Sequence, residues 1–167
     1  GKKILGKGNH DFWWSTMKKH TAFFDAHGIK TVSFLFNNAI ETDEFIIAGT
    51  RGWYNDEDAV NAPDNADFEK LTNRENLRLR TSLEEQKKFK EASPDKEIIV
   101  FMHFPPVWNS SVSTDIISLM KEHRVERCYY GHIHGVYTSD AVFEYEGIRF
   151  EMISADYLGF CPRKITF

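Results

Sequence analysis

Gly131-His132-Ile133-His134-Gly135 follows directly on an apolar run that ends in Cys128-Tyr129-Tyr130. This pattern is typical of a buried strand that stops at a glycine and opens into a loop. Two imidazoles two residues apart on an extended segment point to the same side. Alone, such a pair is more typical of an ordinary turn than of a binding site. It predicts a metal site only together with further ligands at neighbouring strand ends.

Two other stretches place metal-capable side chains at strand ends. Gly8-Asn9-His10-Asp11 follows a predicted strand at residues 3–6, and His103-Phe104-Pro105-Pro106 follows the almost unbroken apolar run 97–102. In open α/β folds, ligands bind at the carboxyl ends of strands, so these stretches converge if their strands lie side by side. Imidazoles with one amide oxygen suit a borderline divalent metal such as Zn, Mn, Fe or Co. The candidate metal ligands are Asn9, His103, His132 and His134.

The remaining pattern alternates between helices and strands, which indicates an α/β fold. Helices are predicted over residues 13–27, 68–93 and 115–123. The segments 31–36 and 44–49 are predicted to form an antiparallel pair of strands, with a polar connection between them. Further strands are predicted over 97–102, 127–130, 143–145, 148–154 and 164–167. Because the chain contains no repeat, no low-complexity tract and no linker, residues 1–167 are predicted to form one domain.

Composition excludes several classes of protein. The 167 residues are 41% hydrophobic and 14% aromatic, which is enough for a sizeable core and argues against disorder. The formal net charge of −4 is spread over mixed acidic and basic residues, so no nucleic-acid partner is indicated. No apolar run is long enough to span a bilayer, which argues against a membrane partner. Two cysteines fit a reducing compartment, and we expect a cytoplasmic protein.

The three strand-end stretches resemble, in order and placement, motifs of the calcineurin-like metallophosphoesterases. The matching residues are Gly8-Asn9-His10-Asp11, the strand-end His103 and Gly131-His132-Ile133-His134. The similarity is greatest to bacterial predicted phosphohydrolases of that superfamily, which share paired aromatics like Trp13-Trp14 and a Gly-Thr-Arg-Gly-Trp segment like residues 49–53. The resemblance spans nearly the whole chain. It implies a two-sheet sandwich flanked by helices, an αββα arrangement.

The resemblance also implies a metal for each ligand and a reaction. Asn9, His103 and His132 would bind one divalent metal, and His134 would bind a second. The metals would be Mn, Fe, Zn or Co. The implied enzyme is a phosphohydrolase, in which metal-activated hydroxide cleaves a small phosphomonoester or phosphodiester substrate.

Further residues receive catalytic or binding roles. By the resemblance, His10 would be the proton donor, held by Asp11, and histidine suits this role because it changes charge near neutral pH. The guanidinium of Arg51 suits a phosphate, and Trp53 would line a substrate pocket. A structural ion pair of Arg51 and core packing of Trp53 are open alternatives. So is capping of the following helix by Asn9 or Asp11.

The start of the chain departs from the family pattern. The motifs Asp-x-His and Gly-Asp-x-x-Asp should precede Asn9, and only eight residues do. Asp25-Ala26-His27 matches the first motif literally, but it lies at a predicted helix end before Gly28. We therefore expect a C-terminal fragment of a longer hydrolase rather than a decayed relative. Alone, the fragment is expected to hold one metal or none, with little or no catalysis.

Two other functions compete with hydrolysis. A non-enzymatic phosphatase-like scaffold would bind a partner and would hydrolyse nothing with any metal. A mononuclear metal-binding protein would use Asn9, His103 and His132 with water, and would hold about one metal per chain.

Overall fold

The computed structural model describes residues 1–55, 65–138 and 141–166. The elements follow in chain order as β1 (Lys3–Gly6), α1 (Met17–Ala26), β2 (Val32–Leu35), β3 (Ala39–Glu41), β4 (Phe45–Thr50), α2 (Asn65–Ala92), β5 (Glu97–Met102), β6 (Val107–Trp108), β7 (Ser111–Val112), α3 (Thr114–Glu122), β8 (Arg127–Tyr130), β9 (Val142–Tyr145) and β10 (Ile148–Met152). No helix in these ranges combines the length and the apolar character that crossing a bilayer requires.

A six-stranded mixed sheet, called the large sheet, forms the centre with the order β3-β4-β5-β8-β10-β9. Its four inner strands run parallel, whereas the edge strands β3 and β9 are antiparallel to their neighbours. Parallel strands are buried on both faces and therefore appear as continuous apolar runs, as β5 does. Because Met102 of β5 is paired with Tyr130 of β8, the two strands end side by side. This register brings His103 and the 131–135 stretch to one edge.

A two-stranded parallel sheet of β1 and β2, called the small sheet, lies on one face of the large sheet. Leu35 of β2 faces the large sheet, where its Cδ2 would lie 2.9 Å from a Cβ added to Gly49 of β4. The preceding residue, Phe34, points the other way and stacks on Phe24 of α1 with ring centroids 5.2 Å apart. The small sheet is therefore enclosed between α1 and the large sheet.

Helices α2 and α3 cover the opposite face of the large sheet. Leu79 of α2 and Met120 of α3 pack in one buried cluster with Ile46 and Val100. Side chains alternate along a strand, and Phe45 belongs to a separate cluster on the other face. The layers run α1, small sheet, large sheet, then α2 with α3. This order confirms the predicted two-sheet sandwich flanked by helices.

The predicted antiparallel pairing of segments 31–36 and 44–49 is wrong. β2 pairs in parallel with β1, and the antiparallel partner of β4 is β3, which lies inside the predicted connection. The turn from β2 into β3 is tighter than predicted. Asn37 adopts a left-handed φ of 62°, and Asn38 Oδ1 accepts the Phe36 N–H at 2.6 Å. Two asparagines thus suffice for the bend, and residues 39–41 are free to form a strand.

Three other predicted segments also differ from the structure. Residues 107–112, where no strand is predicted, contain the β6–β7 hairpin. At the carboxyl end of the chain, residues 164–166 are irregular rather than extended, and residue 167 lies outside the described residues. The first helix begins at Met17 rather than at residue 13, because Thr16 Oγ1 accepts the Lys19 N–H at 3.3 Å. Neither Asn9 nor Asp11 caps this helix.

Gly49 lies where β4 and β5 are too close for a side chain. A Cβ added there would overlap the carbonyl oxygen of Phe101 and crowd Leu35. We expect Gly49→Ala to lower the free energy of unfolding by about 3 kcal/mol, the upper end of overpacking costs, as measured by urea denaturation. Gly6→Ala is the matched control, since nothing lies within 4 Å of its added Cβ. Equal stability of the two variants would contradict this account.

Candidate metal centre

Asn9 and His103 meet at the carboxyl ends of β1 and β5. The Asn9 Oδ1 atom lies 2.6 Å from His103 Nε2. Gly8 allows this approach, because a Cβ there would lie 3.1 Å from Cε1 of the imidazole. The backbone N–H of His103 donates to the carbonyl of Arg51 at 3.1 Å, which fixes the strand end. Two of the predicted ligands therefore present donor atoms to one place.

His132 lies beside this pair. Its ring centroid is 5.1 Å from that of His103 and 4.1 Å from that of Phe104. The backbone of His132 is left-handed, with φ of 68°, so the chain turns immediately after β8. The Gly131 N–H donates to the carbonyl of His103 at 3.2 Å and joins the two strand ends. The structure thus brings Asn9, His103 and His132 together, as predicted.

The imidazoles of His103 and His132 are held in the neutral form. Burial, followed by the neighbouring His132, lowers the pKa of His103 to about 4. Burial also lowers the pKa of His132, with His134 and His10 adding to the effect. A neutral imidazole offers the lone pair that a metal needs. Two such imidazoles with one amide oxygen fit a borderline divalent metal.

His134 lies at the rim, where Asp156 orients its ring. His134 Nδ1 lies 2.9 Å from Asp156 Oδ1, and Asp156 Oδ2 accepts the Gly135 N–H at 2.9 Å. The Gly135 N–H and then the His134 ring lower the pKa of Asp156 to about 2, so Asp156 is ionised and accepts the proton of Nδ1. This leaves the lone pair on Nε2, the arrangement found in metal-ligating histidines.

Asp156 also lies after the carboxyl end of a strand, although it was not among the predicted site residues. It follows β10, the parallel neighbour of β8, by four residues. Like the predicted ligands, it therefore lies at the carboxyl edge of the large sheet. The available signal was that Asp156 lies two residues after the predicted strand 148–154.

Asp156→Asn is expected to weaken metal binding at His134 by about 10–100-fold, the usual cost of losing such a partner. Mn²⁺ titration by calorimetry measures this loss. In the metal-free protein, ¹⁵N NMR should show that His134 loses its preference for the Nδ1–H tautomer. Asp43→Asn, at an exposed position away from the site, is the control. An unchanged tautomer and an unchanged affinity would contradict a positioning role for Asp156.

His10 and Asp11 lie beside the ligands without pairing to each other. Asp11 Oδ2 accepts the Gly8 N–H at 2.6 Å, and Asp11 Oδ1 accepts the Trp13 Nε1–H at 3.0 Å. The expected contact with His10 is therefore replaced, because a short loop lets the carboxylate bend back onto its own backbone. His10 is exposed, with its ring edge near Phe12 at a centroid distance of 6.1 Å. Asp11 holds the loop shape, and His10 remains free to face a substrate.

Arg51 makes the ion pair that was an open alternative. Its NH2 lies 3.5 Å from Glu75 Oε1, and its guanidinium lies 4.4 Å from the centre of the Trp53 ring. Arg78 and Arg74 also contact Glu75, at 2.6 and 3.6 Å. Three guanidinium groups thus surround one carboxylate, and the charge of Arg51 also acts on His103. Arg51 therefore contributes charge while it stabilises the fold.

Glu75 lies on α2 among many charged residues, yet it is not on a solvated face of that helix. Its side chain is 2% exposed, and its Oε2 accepts the Thr50 hydroxyl at 2.9 Å. The signal was its spacing, since Glu75 lies four residues from both Leu71 and Leu79, which places it on the same helix face as these two apolar residues. The Glu75 carboxylate is therefore buried together with the groups that pair with it, such as Thr50 and Arg78.

Trp53 is partly buried and forms a wall of a cavity. The cavity has a volume of about 300 Å³, is lined by Trp53, Tyr54 and Trp108, and reaches His132. The Tyr54 ring lies 5.7 Å from the His132 ring. Trp53 also packs on the buried Phe104 at 5.4 Å. An aromatic cavity therefore opens directly beside a candidate metal ligand.

Residues 1–136 match the family model of the calcineurin-like phosphoesterases. The matched range contains Asn9, His103, His132 and His134. No curated protein and no solved structure gives a significant match to the chain.

Proposed function

This chain belongs to the calcineurin-like phosphoesterase family, and on that premise we propose that it hydrolyses a small phosphomonoester or phosphodiester at a site for two divalent transition metals. The family as a whole carries out metal-dependent phosphoester hydrolysis. The observation that carries the proposal is the convergence of Asn9, His103 and His132 from the carboxyl ends of β1, β5 and β8, with both imidazoles neutral.

In this proposal, Asn9, His103 and His132 hold one metal, and His134 holds the second through Nε2. A bound divalent metal of this class polarises a phosphoryl oxygen and lowers the pKa of water. In the metal-free protein the Nε2–H of His103 donates to Asn9 Oδ1, so a metal between them would require the other tautomer of His103. The ring of His134 is already held by Asp156. Such preorganisation reduces the cost of binding.

His10 is the proposed proton donor to the leaving-group oxygen. It is exposed beside the ligands, and its charge is one of the causes that lower the pKa of His103 and of His132. Histidine is the residue most often used for proton transfer near neutral pH.

The surroundings suggest how the substrate binds. The positive charge of Arg51, which acts on His103, favours an anionic phosphoryl group. The cavity lined by Trp53 and Tyr54 suits the organic part of the substrate. An aryl phosphate satisfies both features and is therefore the appropriate probe.

Metal removal tests the proposal. The protein as its gene encodes it is expected to hydrolyse p-nitrophenyl phosphate or its bis-ester with Mn²⁺, to lose this activity after EDTA treatment, and to regain it when Mn²⁺ is restored. Titration with Mn²⁺ should show two equivalents per chain bound at the strand ends. If the protein binds metal but hydrolyses neither ester with Mn, Fe, Zn or Co, the result would instead support a non-enzymatic scaffold. One equivalent per chain without hydrolysis would support a mononuclear metal-binding protein.

A further inference from the structure

A second group of metal-ligating side chains lies between α2 and α3. It consists of Glu84 on α2, Glu122 at the end of α3, and His123, which follows α3. One donor atom from each residue lies within 4.8 Å of the others. His123 precedes β8, whereas the strand-end ligands follow it, so this group lies toward the opposite end of the large sheet. It is separate from the proposed hydrolytic site.

The imidazole of His123 indicates a missing ligand. Its side chain is 2% exposed, and among the described residues its Nε2 has no hydrogen-bond partner. The carboxylate oxygen Oε1 of Glu84 lies 3.5 Å away, beyond good hydrogen-bond distance. A buried polar atom left without a partner costs about 1–3 kcal/mol and is rare in native structures. Nε2 of His123 therefore lies beside these carboxylates without a hydrogen bond to them.

Gln86 is the partner of the other ring nitrogen of His123, Nδ1. His123 Nδ1 lies 3.4 Å from Gln86 Nε2, and the buried Oε1 of the same amide has no partner in the described residues. Turning the amide by half a rotation fills the same space and places Oε1 opposite Nδ1–H. This pairing satisfies Oε1 and leaves the lone pair of His123 on Nε2. A metal-ligating histidine typically has this arrangement, with its other N–H donated to an oxygen.

The two carboxylates retain oxygens that can face the imidazole. Glu84 Oε2 pairs with Lys87 at 2.6 Å, and Glu122 Oε2 pairs with Arg80 at 3.6 Å, so each glutamate uses one oxygen for a cation. Both side chains are about half exposed and are therefore able to move. Tetrahedral zinc with bonds of about 2.1 Å needs donors about 3.4 Å apart, a closure within the reach of a glutamate side chain.

We propose that Glu84, Glu122 and His123 bind a zinc ion that joins α2 to α3, with water as the fourth ligand. Zinc is the cation for which a mixed imidazole and carboxylate set is most typical. Its role is structural, because it links the helices that cover one face of the sheet. The site does not depend on the hydrolytic function.

The test uses Zn²⁺ alone and the His103→Ala/His132→Ala variant, in which the strand-end ligands are removed. This variant is expected to bind one Zn²⁺ per chain by calorimetry and to gain thermal stability with it. Adding Glu84→Gln and Glu122→Gln should abolish both effects. Glu91→Gln, at another exposed position of α2, is the matched control and should change neither. In ¹⁵N NMR, Zn²⁺ should shift Nε2 of His123.

Two results would overturn the proposal. One is a folded His103→Ala/His132→Ala variant that binds no Zn²⁺. The other is zinc binding that survives Glu84→Gln with Glu122→Gln, or that leaves the His123 resonance unmoved. Because both glutamates are exposed, their replacement should not unfold the protein, and circular dichroism verifies this.

Discussion

The His103→Ala/His132→Ala variant should lose metal binding at the strand ends and, with it, hydrolysis. Both imidazoles are neutral and their ring centroids lie 5.1 Å apart, so the change leaves the Asn9 amide as the remaining ligand of that metal. An amide oxygen alone holds a transition metal poorly. Metal stabilisation of a phosphoryl transition state is worth several kcal/mol, and each 1.4 kcal/mol is tenfold. The loss in kcat/KM should therefore be about 10³-fold or more.

The measurement combines kcat/KM on an aryl phosphate with the metal content of the purified protein. Folding should survive, because the strand ends are joined through backbone groups, such as the Gly131 N–H on the His103 carbonyl. His27→Ala, an exposed histidine after α1, is the matched control and should leave both quantities within about twofold, since it contacts no ligand. A folded double variant with normal activity would contradict the assignment of this site.

The sequence predicts the centre of this fold better than its edges. The bounds of β5 and β8 are as predicted, because strands buried on both faces appear as uninterrupted apolar runs. The same two strands carry His103 and His132, so the ligand convergence was predictable from the strand-end rule. The pairing of β2 was not predictable, because β2 pairs with β1 in a separate sheet that packs on one face of the large sheet. That is a property of the assembled layers rather than of any local pattern.

Polar partners were the least predictable part of the site. Asp11 is adjacent to His10 in the chain, yet both of its oxygens accept other N–H groups. Asp156 supports His134 from 22 residues away. Glu75 carried a signal in its helical spacing, but its arginine partners are fixed only by packing. Hydrogen-bond partners depend on distances of a few tenths of an ångström, which no sequence pattern specifies.

His10→Ala is expected to lower kcat by about 10²–10⁴-fold on an alkyl phosphate, the usual contribution of a general acid. On p-nitrophenyl phosphate the loss should be much smaller, because nitrophenolate leaves without being protonated. The dependence on the leaving group is what separates a proton donor from a residue that only binds the phosphoryl group. Metal content should not change, because His10 is not one of the proposed metal ligands Asn9, His103 and His132.

Asp11→Asn supplies the matched control for this experiment. Had Asp11 oriented His10, the two variants would share one dependence on the leaving group. In the structure Asp11 instead closes the loop onto Gly8 and Trp13. Asp11→Asn should therefore lower thermal stability, with similar effects on the two substrates. Equal losses on both substrates for His10→Ala would contradict proton donation. A leaving-group dependence in Asp11→Asn would instead mean that the carboxylate moves to His10 when substrate binds.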